Sequence, residues 1–302
     1  MQKFPIRCTL MIVAPLLTAP ALAQQPAPLD AAVRQMVETA ARSGDSAKIS
    51  AVVAVAKATN PQATAEIDSI VDAIAAERHA AHEAELRHAG YFENWTGSGQ
   101  LGGALSTGNS NTKSVTAGIA LEREGLLWRH RVNALLDLVD SDQGADQERI
   151  LAGYQLDYQY SERAYVWARL QYERNRQGGI DRRFVEAVGF GWQVFAPSAV
   201  SWDLEAGPAV RQTRYPGYSE NRIAGRGASR FRWDLSSRAA FTNDTAFFWE
   251  KAATVTNTAA LTSKLIGSLS AQISYDLAWE QSPPVGRKEL DSTTRMTLVY
   301  DF

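Results

Sequence analysis

Two patterns of hydrophobic and polar positions divide this chain near residue 93. Before that point, apolar residues recur every third or fourth position, as on one face of a helix. After it, apolar and polar residues alternate, and turn-forming residues repeatedly interrupt the alternation. The sequence therefore predicts a helical segment over 24–92 and an all-β region over 93–302.

The helical region carries start and stop signals for three helices. Asp, Ser and Asn residues cap helix N-termini, Pro fits the first helical position, and Gly commonly follows the last. The expected signals are Asp30, Gly44, Asp45 or Ser46, and Asn60-Pro61. Beyond Ala75 little is left to bury, so we expect an exposed helix that leads towards Gly90.

Residues 29–89 are too few to bury much core by themselves. We expect this segment to dock on the mouth of the β region, to self-associate, or to bind a periplasmic partner.

The alternation after Trp95 has the period of a β-strand with unlike faces. In 264–280 one face carries Leu265, Gly267, Leu269, Ala271, Ile273, Tyr275, Leu277 and Trp279. Twelve strands are expected, at 95–106, 111–124, 127–140, 146–160, 164–176, 181–195, 199–214, 221–235, 238–250, 253–262, 264–280 and 288–302. Alternation of this kind fits a soluble sandwich or a membrane barrel, which differ in whether the apolar face meets a core or lipid.

The strand count and the turns favour the barrel. An even number of strands places both ends of the barrel on one side of the membrane, which for an exported protein is the periplasm. Short turns are expected on that side, at Ser161–Arg163, Ala196–Ser198, Ser236–Ser237 and Ser263. Longer connections are expected outside, at Arg176–Asp181, Tyr215–Glu220 and Gln281–Arg287.

The first residues have the pattern of a secretory signal. Lys3 and Arg7 precede an apolar run, and Ala21-Leu22-Ala23 fits the cleavage rule of signal peptidase. We expect 1–23 to be removed and the protein to reach the outer membrane of a Gram-negative cell. No later window holds 18 consecutive apolar residues, so a helical membrane protein is not expected.

The last strand carries a second export feature. Met296, Leu298, Tyr300 and Phe302 alternate, and the sequence ends on an aromatic residue, as outer-membrane barrels characteristically do. We expect Tyr300 and Phe302 to be read by the barrel-assembly machinery. We expect the apolar face of the strands to contact outer-membrane lipid.

Composition removes several classes of function. The only cysteine, Cys8, lies within the expected signal, which leaves no disulfide or thiolate metal site afterwards. A formal net charge of −2 gives no footprint for nucleic acid. We expect neither a cofactor nor a metal.

Two end motifs resemble a known family. They comprise Trp95–Gly102 with Ser106–Thr112, and Leu261–Lys264, Ser274-Tyr275, Pro283-Pro284, Asp291 and Leu298–Phe302. Over about 93–302 the sequence resembles the YdiY-like family of unknown function, often labelled salt-stress-induced outer-membrane protein. The resemblance implies an outer-membrane barrel and brings neither a catalytic residue nor a ligand.

Charged residues on the polar face of the strands are the main candidate site. The expected lumen residues are Arg129, Arg169, Arg211, Arg222, Arg226, Arg230, Arg232, Asp137, Asp157, Glu173, Asp203, Glu205 and Asp276. They are expected to form either an ion-pair lattice that fills a narrow barrel or an anion-preferring pore or solute site.

Other motifs carry less chemistry. Thr107–Thr112 predicts a hairpin turn, with a loop receptor as the alternative. His79, His82 and Glu83 share a helical face and are expected to be solvated rather than to bind metal. His130 is the one obvious catalytic candidate, yet no motif places a Ser or Asp beside it. Asn94-Trp95-Thr96 and Asn243-Asp244-Thr245 match a glycosylation sequence by chance.

The sequence thus predicts a twelve-stranded outer-membrane barrel with a helical periplasmic segment and no enzymatic activity. Three functions stay open: a narrow pore for small solutes or ions, a structural barrel with a sealed lumen, and a lipid-modifying or protease-like enzyme.

Overall fold

The computed structural model describes residues 29–90, 92–108, 112–140, 147–176, 179–195, 199–283 and 287–302. The expected signal 1–23 and part of the Thr107–Thr112 turn lie outside these ranges. The chain divides into two compact units, Met1–Ile74 and Ala75–Phe302.

The predicted three-helix segment is confirmed. It contains α1 (Ala31–Ser43), α2 (Ser46–Thr59), a 3₁₀ turn (Pro61–Ala63) and α3 (Thr64–His88). Asp30 accepts a hydrogen bond from the Ala32 amide and caps α1, and Gly44 ends that helix at φ 70°. The cap of α2 is Asp45, which accepts hydrogen bonds from the amides of Ala47 and Lys48.

The start of the third helix differs from the prediction. Asn60 makes no side-chain cap; its amide nitrogen instead donates back to the Ala56 carbonyl at 3.1 Å. Pro61 begins the 3₁₀ turn, which the Ala63 amide closes onto the Asn60 carbonyl at 3.0 Å. The helix bundle buries a small core, made by Leu29, Val37, Ala56, Ala63 and Ile67.

The β region is one closed antiparallel barrel of twelve strands. They are β1 (Trp95–Thr107), β2 (Thr112–Glu124), β3 (Trp128–Asp140), β4 (Gln147–Gln159), β5 (Ala164–Asn175), β6 (Ile180–Phe195), β7 (Val200–Tyr215), β8 (Tyr218–Ser236), β9 (Ala239–Trp249), β10 (Ala253–Ile266), β11 (Leu269–Glu280) and β12 (Leu290–Asp301). Each strand pairs with its neighbours in sequence, and β1 closes the sheet against β12.

The register shows which face points outward. Leu101 lies opposite Leu298 and Ala104 opposite Arg295, one pair on each face of the sheet. The Leu298 residue is 53% exposed and Arg295 is 4% exposed. Because facing residues share a side and successive residues change sides, the apolar set lies outside and the polar set fills the lumen. This is the arrangement of a transmembrane barrel, as predicted.

We call the end of the barrel where β1 begins and β12 ends the terminal rim, and the opposite end the distal rim. On the terminal rim, Ser263 is not a turn, contrary to prediction; β10 continues to Ile266 and turns at Gly267, whose φ is 55°. On the distal rim, Tyr215–Glu220 is not a long loop. Only Pro216 and Gly217 join β7 to β8, because Gly217 takes a φ of 93° that permits a tight hairpin. The connection over 281–289 is long, as expected.

None of the helices in the described part of the chain has the length and apolar character needed to cross a bilayer.

Candidate functional site

The lumen has two unlike walls. From β3 to β8 the inward face carries large charged and aromatic side chains, whereas β9, β10 and β11 present mainly small and hydroxylated ones. Examples on the second wall are Thr254, Thr256, Thr258, Ala260, Ser274 and Ala278. The charged wall is where most of the predicted lumen residues lie.

Glu205 on β7 is the centre of the charged wall. Its carboxylate accepts hydrogen bonds from Arg226 Nη1 at 3.0 Å and from Arg230 Nη2 at 2.5 Å. Gln155 Nε2 and the Tyr165 hydroxyl also donate to it, at 2.7 and 3.2 Å. A carboxylate with this many charge-assisted donors is fixed in place even though it is buried.

Glycine makes room for this arrangement. Gly191 faces Tyr165 on the neighbouring strand, and a Cβ at Gly191 would lie 2.2 Å from the Tyr165 ring. The absence of a side chain leaves room for the ring against Gly191, and the Tyr165 hydroxyl reaches Glu205. A larger residue at Gly191 would displace Tyr165 from the cluster.

Asp157 on β4 is a second anionic centre in the same wall. It accepts hydrogen bonds from Arg129 Nε at 2.9 Å, Arg131 Nη2 at 2.5 Å and Gln155 Nε2 at 2.8 Å. Gln155 thus connects the two carboxylates, because its amide nitrogen also donates to Glu205. The guanidinium of Arg226 lies 4.8 Å from the ring centre of Trp167, so an aromatic face supports the cluster from one side.

A separate group of charges joins the two walls. Arg295 on β12 donates to Asp137 on β3 at 2.7 Å and also contacts Asp276 on β11. Thr116 donates to the other side of Asp137 at 2.6 Å, and Thr258 donates to Asp276 at 2.5 Å. These bonds link five strands on one side of the lumen.

Towards the distal rim a third group surrounds two arginines. Arg183 pairs with Glu173 at 3.2 Å and Glu280 at 3.5 Å. Arg211 pairs with Glu250 at 2.5 Å, and Arg222 reaches the same carboxylate at 3.4 Å.

Three predicted lumen residues stand apart from these groups. Arg232 pairs with its own strand neighbour Asp234 at 2.7 Å and is exposed. Asp203 has no ion pair among the described residues, and its Oδ1 is buried without a hydrogen-bond partner there. Arg169 donates to the side-chain oxygens of Gln155 and Gln171, and within the described ranges no carboxylate lies in ion-pair range of it.

Sequence reasoning missed several charged residues of the lumen. Arg131, Arg183 and Arg295 follow the same alternation as the predicted set, so period two was sufficient to find them. Alternation also places Glu280 on the polar face of its strand, although it was not among the expected lumen residues, whereas Glu250 follows the end of β9, where alternation gives no direction. Asp244 faces the lumen opposite Arg230 and is exposed there, although we interpreted its tripeptide only as a chance sequon.

A cavity of about 980 Å³ lies between the walls. Along β12 it is lined by inward residues from Asp291 through Arg295 and Val299 to Asp301, which is nearly the whole length of that strand. Arg183, Arg226 and Arg230 line it on the charged side. The charged wall therefore narrows the lumen over this height without filling it.

The catalytic candidate lies outside this cavity. His130 faces outward on β3, where its Nδ1 lies 2.9 Å from the hydroxyl of Tyr154. In the part of the chain that the structure describes, no group of three or more His, Cys, Asp and Glu side chains could hold a metal ion.

The predicted assembly signal lies at the closure of the sheet. Tyr300 points outward opposite Gly99, and Phe302 exchanges two backbone hydrogen bonds of 2.9 Å with Gly97. Their recognition by the assembly machinery stays a prediction.

A closed sheet with an apolar exterior and a charged, hollow interior defines the class: a transmembrane β-barrel. The chain belongs to the family described as "Protein of unknown function, DUF481", whose model matches residues 99–302. This confirms the resemblance to an uncharacterised family and leaves the helical segment outside the match. A search of curated proteins finds no match.

Solved barrels resemble the chain only distantly. The NanC porin is 10% identical at a TM-score of 0.48, covering 68% of this chain and all of its own. The translocator domain of the autotransporter NalP from Neisseria meningitidis is 10% identical with a TM-score of 0.43, and the match covers 79% of this chain and 99% of that domain. The KdgM porin in complex with disordered oligogalacturonate is 9% identical with a TM-score of 0.41, and the match covers 68% of this chain and 99% of the porin. The assignment to the barrel class therefore depends on the strand pairing of this chain itself.

Proposed function

We propose that this protein is a narrow, water-filled pore for small solutes or ions in the outer membrane, with its helical segment in the periplasm. The observation that carries the proposal is the cavity of about 980 Å³ that follows the inward face of β12 from Asp291 to Asp301. A structural barrel needs no such space.

The charged wall supports the proposal because the arginines around Glu205 and Asp157 are held to their own wall, whereas Arg183 reaches Glu280 on β11 nearer the distal rim. Arg226 and Arg230 are both bound to Glu205, and Arg129 and Arg131 to Asp157. These ion pairs neutralise the four arginines within one wall. An arginine that extended across the lumen would have to break its ion pair, which is unfavourable for a buried charge. The hydroxyls of Thr254, Thr256 and Thr258 offer a wettable surface opposite them.

Conductance of the refolded protein in planar bilayers tests the proposal. Discrete, steady current steps are expected from the wild type. Thr256→Trp should lower the unit conductance severalfold, because Thr256 lines the cavity and is exposed to it. Val255→Trp is the matched control, since the adjacent residue faces outward opposite Phe247 and should leave conductance unchanged.

Silence of a correctly folded wild type would refute the pore and favour the sealed structural barrel. Equal effects of the two tryptophan variants would also refute it, because the current would then not pass through this lumen.

The salt-stress association implied by the family resemblance is part of the proposal. It predicts that the amount of protein in the producing cells rises after a shift to high NaCl. Constant abundance, followed by quantitative mass spectrometry of outer-membrane fractions, would remove this association.

A further inference from the structure

Two arginines lie side by side on the outer surface of the barrel near its distal rim. Arg182 on β6 and Arg214 on β7 are directly opposite each other in the antiparallel register, and both are exposed. They alternate with Arg183 and Thr213, which point into the lumen. We call Arg182 and Arg214 the outer arginine pair.

The outer arginine pair lacks a counter-charge among the described residues. Neither guanidinium has an ion pair or hydrogen bond there, in contrast to the lumenal Arg183 and Arg211. On the same face Phe184, Gln212 and Ser219 flank the pair and are uncharged, and on the β5 side the outward Arg174 is paired with Glu148 at 2.7 Å. Like charges placed directly opposite in an antiparallel pair repel each other. An anion between them would remove that repulsion.

Asp181 and Glu186 are exposed acidic residues on the same strand, and among the described residues neither makes an ion pair with Arg182 or Arg214. Glu186 lies four positions from Arg182, which is about 13 Å along an extended strand. Glu186 faces Leu170 and Val210 instead. No described acidic residue is therefore bound to the outer arginine pair, which leaves it open to an anion from outside the barrel.

The height of the pair indicates what surrounds it. On β6 the outward series descends from Arg182 through Phe184, Val188 and Phe190 to Trp192 near the terminal rim. Ten residues of a strand tilted by about 40° rise about 25 Å along the barrel axis, which is the height of the apolar band of outer-membrane barrels. If Trp192 marks one edge of the hydrocarbon, the outer arginine pair lies at the other edge, beside the lipid headgroups.

We propose that Arg182 and Arg214 together bind a phosphate of a lipid A headgroup. Two guanidinium groups present paired N–H donors that match phosphate oxygens, and a phosphate monoester carries enough negative charge to face both. Lipid A is the occupant because the distal rim lies in the outer leaflet under the proposed placement, and its headgroup carries phosphates. The inference depends on that placement and not on whether the lumen conducts.

Native mass spectrometry of the refolded full chain in detergent tests this inference with lipid A as the probe. Arg182→Gln together with Arg214→Gln should weaken lipid A binding about tenfold or more, as expected for the loss of charge-assisted hydrogen bonds. The matched control is Arg238→Gln, which removes an exposed arginine from the terminal rim. It should leave binding unchanged.

Dephosphorylated lipid A is the second probe. It should bind the wild type as weakly as lipid A binds the double variant. Equal affinity of the wild type for the two lipids, or equal weakening by Arg238→Gln, would overturn the inference. Because binding is read in detergent, a barrel that proves silent in conductance can still confirm or overturn it.

Discussion

Arg295 and Asp137 are joined by a 2.7 Å hydrogen bond although β1 and β2 separate their strands. The contact brings together residues 158 positions apart, and both side chains are nearly buried. It therefore ties the closing strand of the barrel to β3 from inside, in addition to the backbone pairing of β12 with β1 and β11.

We predict that Arg295→Met lowers the free energy of unfolding by about 3 kcal/mol, because it leaves a buried carboxylate without its main partner. Arg149, at 3.9 Å, is the remaining guanidinium within range of Asp137. Reversible urea unfolding in lipid vesicles measures the change. Arg232→Met is the control: its pair with Asp234 is exposed, and its loss should cost less than about 1 kcal/mol. Equal losses would contradict the prediction.

The cap of α2 predicts a pH dependence in the helical segment. Hydrogen bonds from the Lys48 and Ala47 amides hold the pKa of Asp45 below its ordinary value, although slight desolvation acts in the other direction. A depressed folded-state pKa means that the cap stabilises the helix fully above the unfolded pKa of about 3.9. This contribution is lost as pH falls through the folded value.

A ¹³C NMR titration of the Asp45 γ-carbon in the refolded protein measures that pKa directly. Asp45→Asn keeps a capping oxygen and should make the amide shifts of Ala47 and Lys48 insensitive to pH in this range. An ordinary or raised pKa at Asp45 would count against the cap.

The barrel was predictable because alternation has a strict physical cause. Successive side chains point to opposite faces, so the apolar set of residues such as Leu298 and the polar set around Arg295 separate without any knowledge of strand neighbours. The ends of strands were less predictable. Gly267 and Gly217 form turns with a positive φ. Any glycine can adopt a positive φ, so the sequence does not show which glycines form turns.

The partners of the lumenal charges could not be predicted from alternation. Arg230 lies directly opposite Asp244 but turns instead to Glu205, where Gln155 and Tyr165 also converge. That choice depends on the curvature of the closed sheet and on the space left by Gly191, neither of which is local in sequence.

Replacing Glu186 with an apolar residue is expected to stabilise the barrel. It is exposed on the outer face between Leu170 and Val210, without an ion pair among the described residues, at a height that we assign to hydrocarbon. Glu186→Leu should raise the free energy of unfolding in vesicles by about 1–2 kcal/mol, because a carboxylate in the apolar band is unfavourable.

Glu220→Leu serves as the comparison, since Glu220 pairs with Arg222 at 2.8 Å on the lumenal side. This change should not stabilise the barrel. A loss of stability in Glu186→Leu would indicate that the carboxylate has a partner from another molecule.

Arg169 and Asp244 predict the ion selectivity of the pore. They line one cavity on β5 and β9, and within the described ranges Arg169 lacks a carboxylate partner while Asp244 lacks an ion pair. Charges that face lumen water without compensation set the preference for permeating ions. Asp244→Asn should raise the anion-to-cation permeability ratio about two- to fivefold, and Arg169→Gln should lower it by a similar factor, as expected for about 0.5–1 kcal/mol of electrostatic energy.

The zero-current potential across a bilayer that separates two KCl concentrations measures both shifts. Glu186→Gln is the matched control, because it neutralises a carboxylate on the outside of the barrel and should leave the potential unchanged. Shifts of the same sign in Asp244→Asn and Arg169→Gln would show that the two variants change the shape of the lumen rather than its charge. The assignment of selectivity to these residues would then fail, even in a protein that conducts.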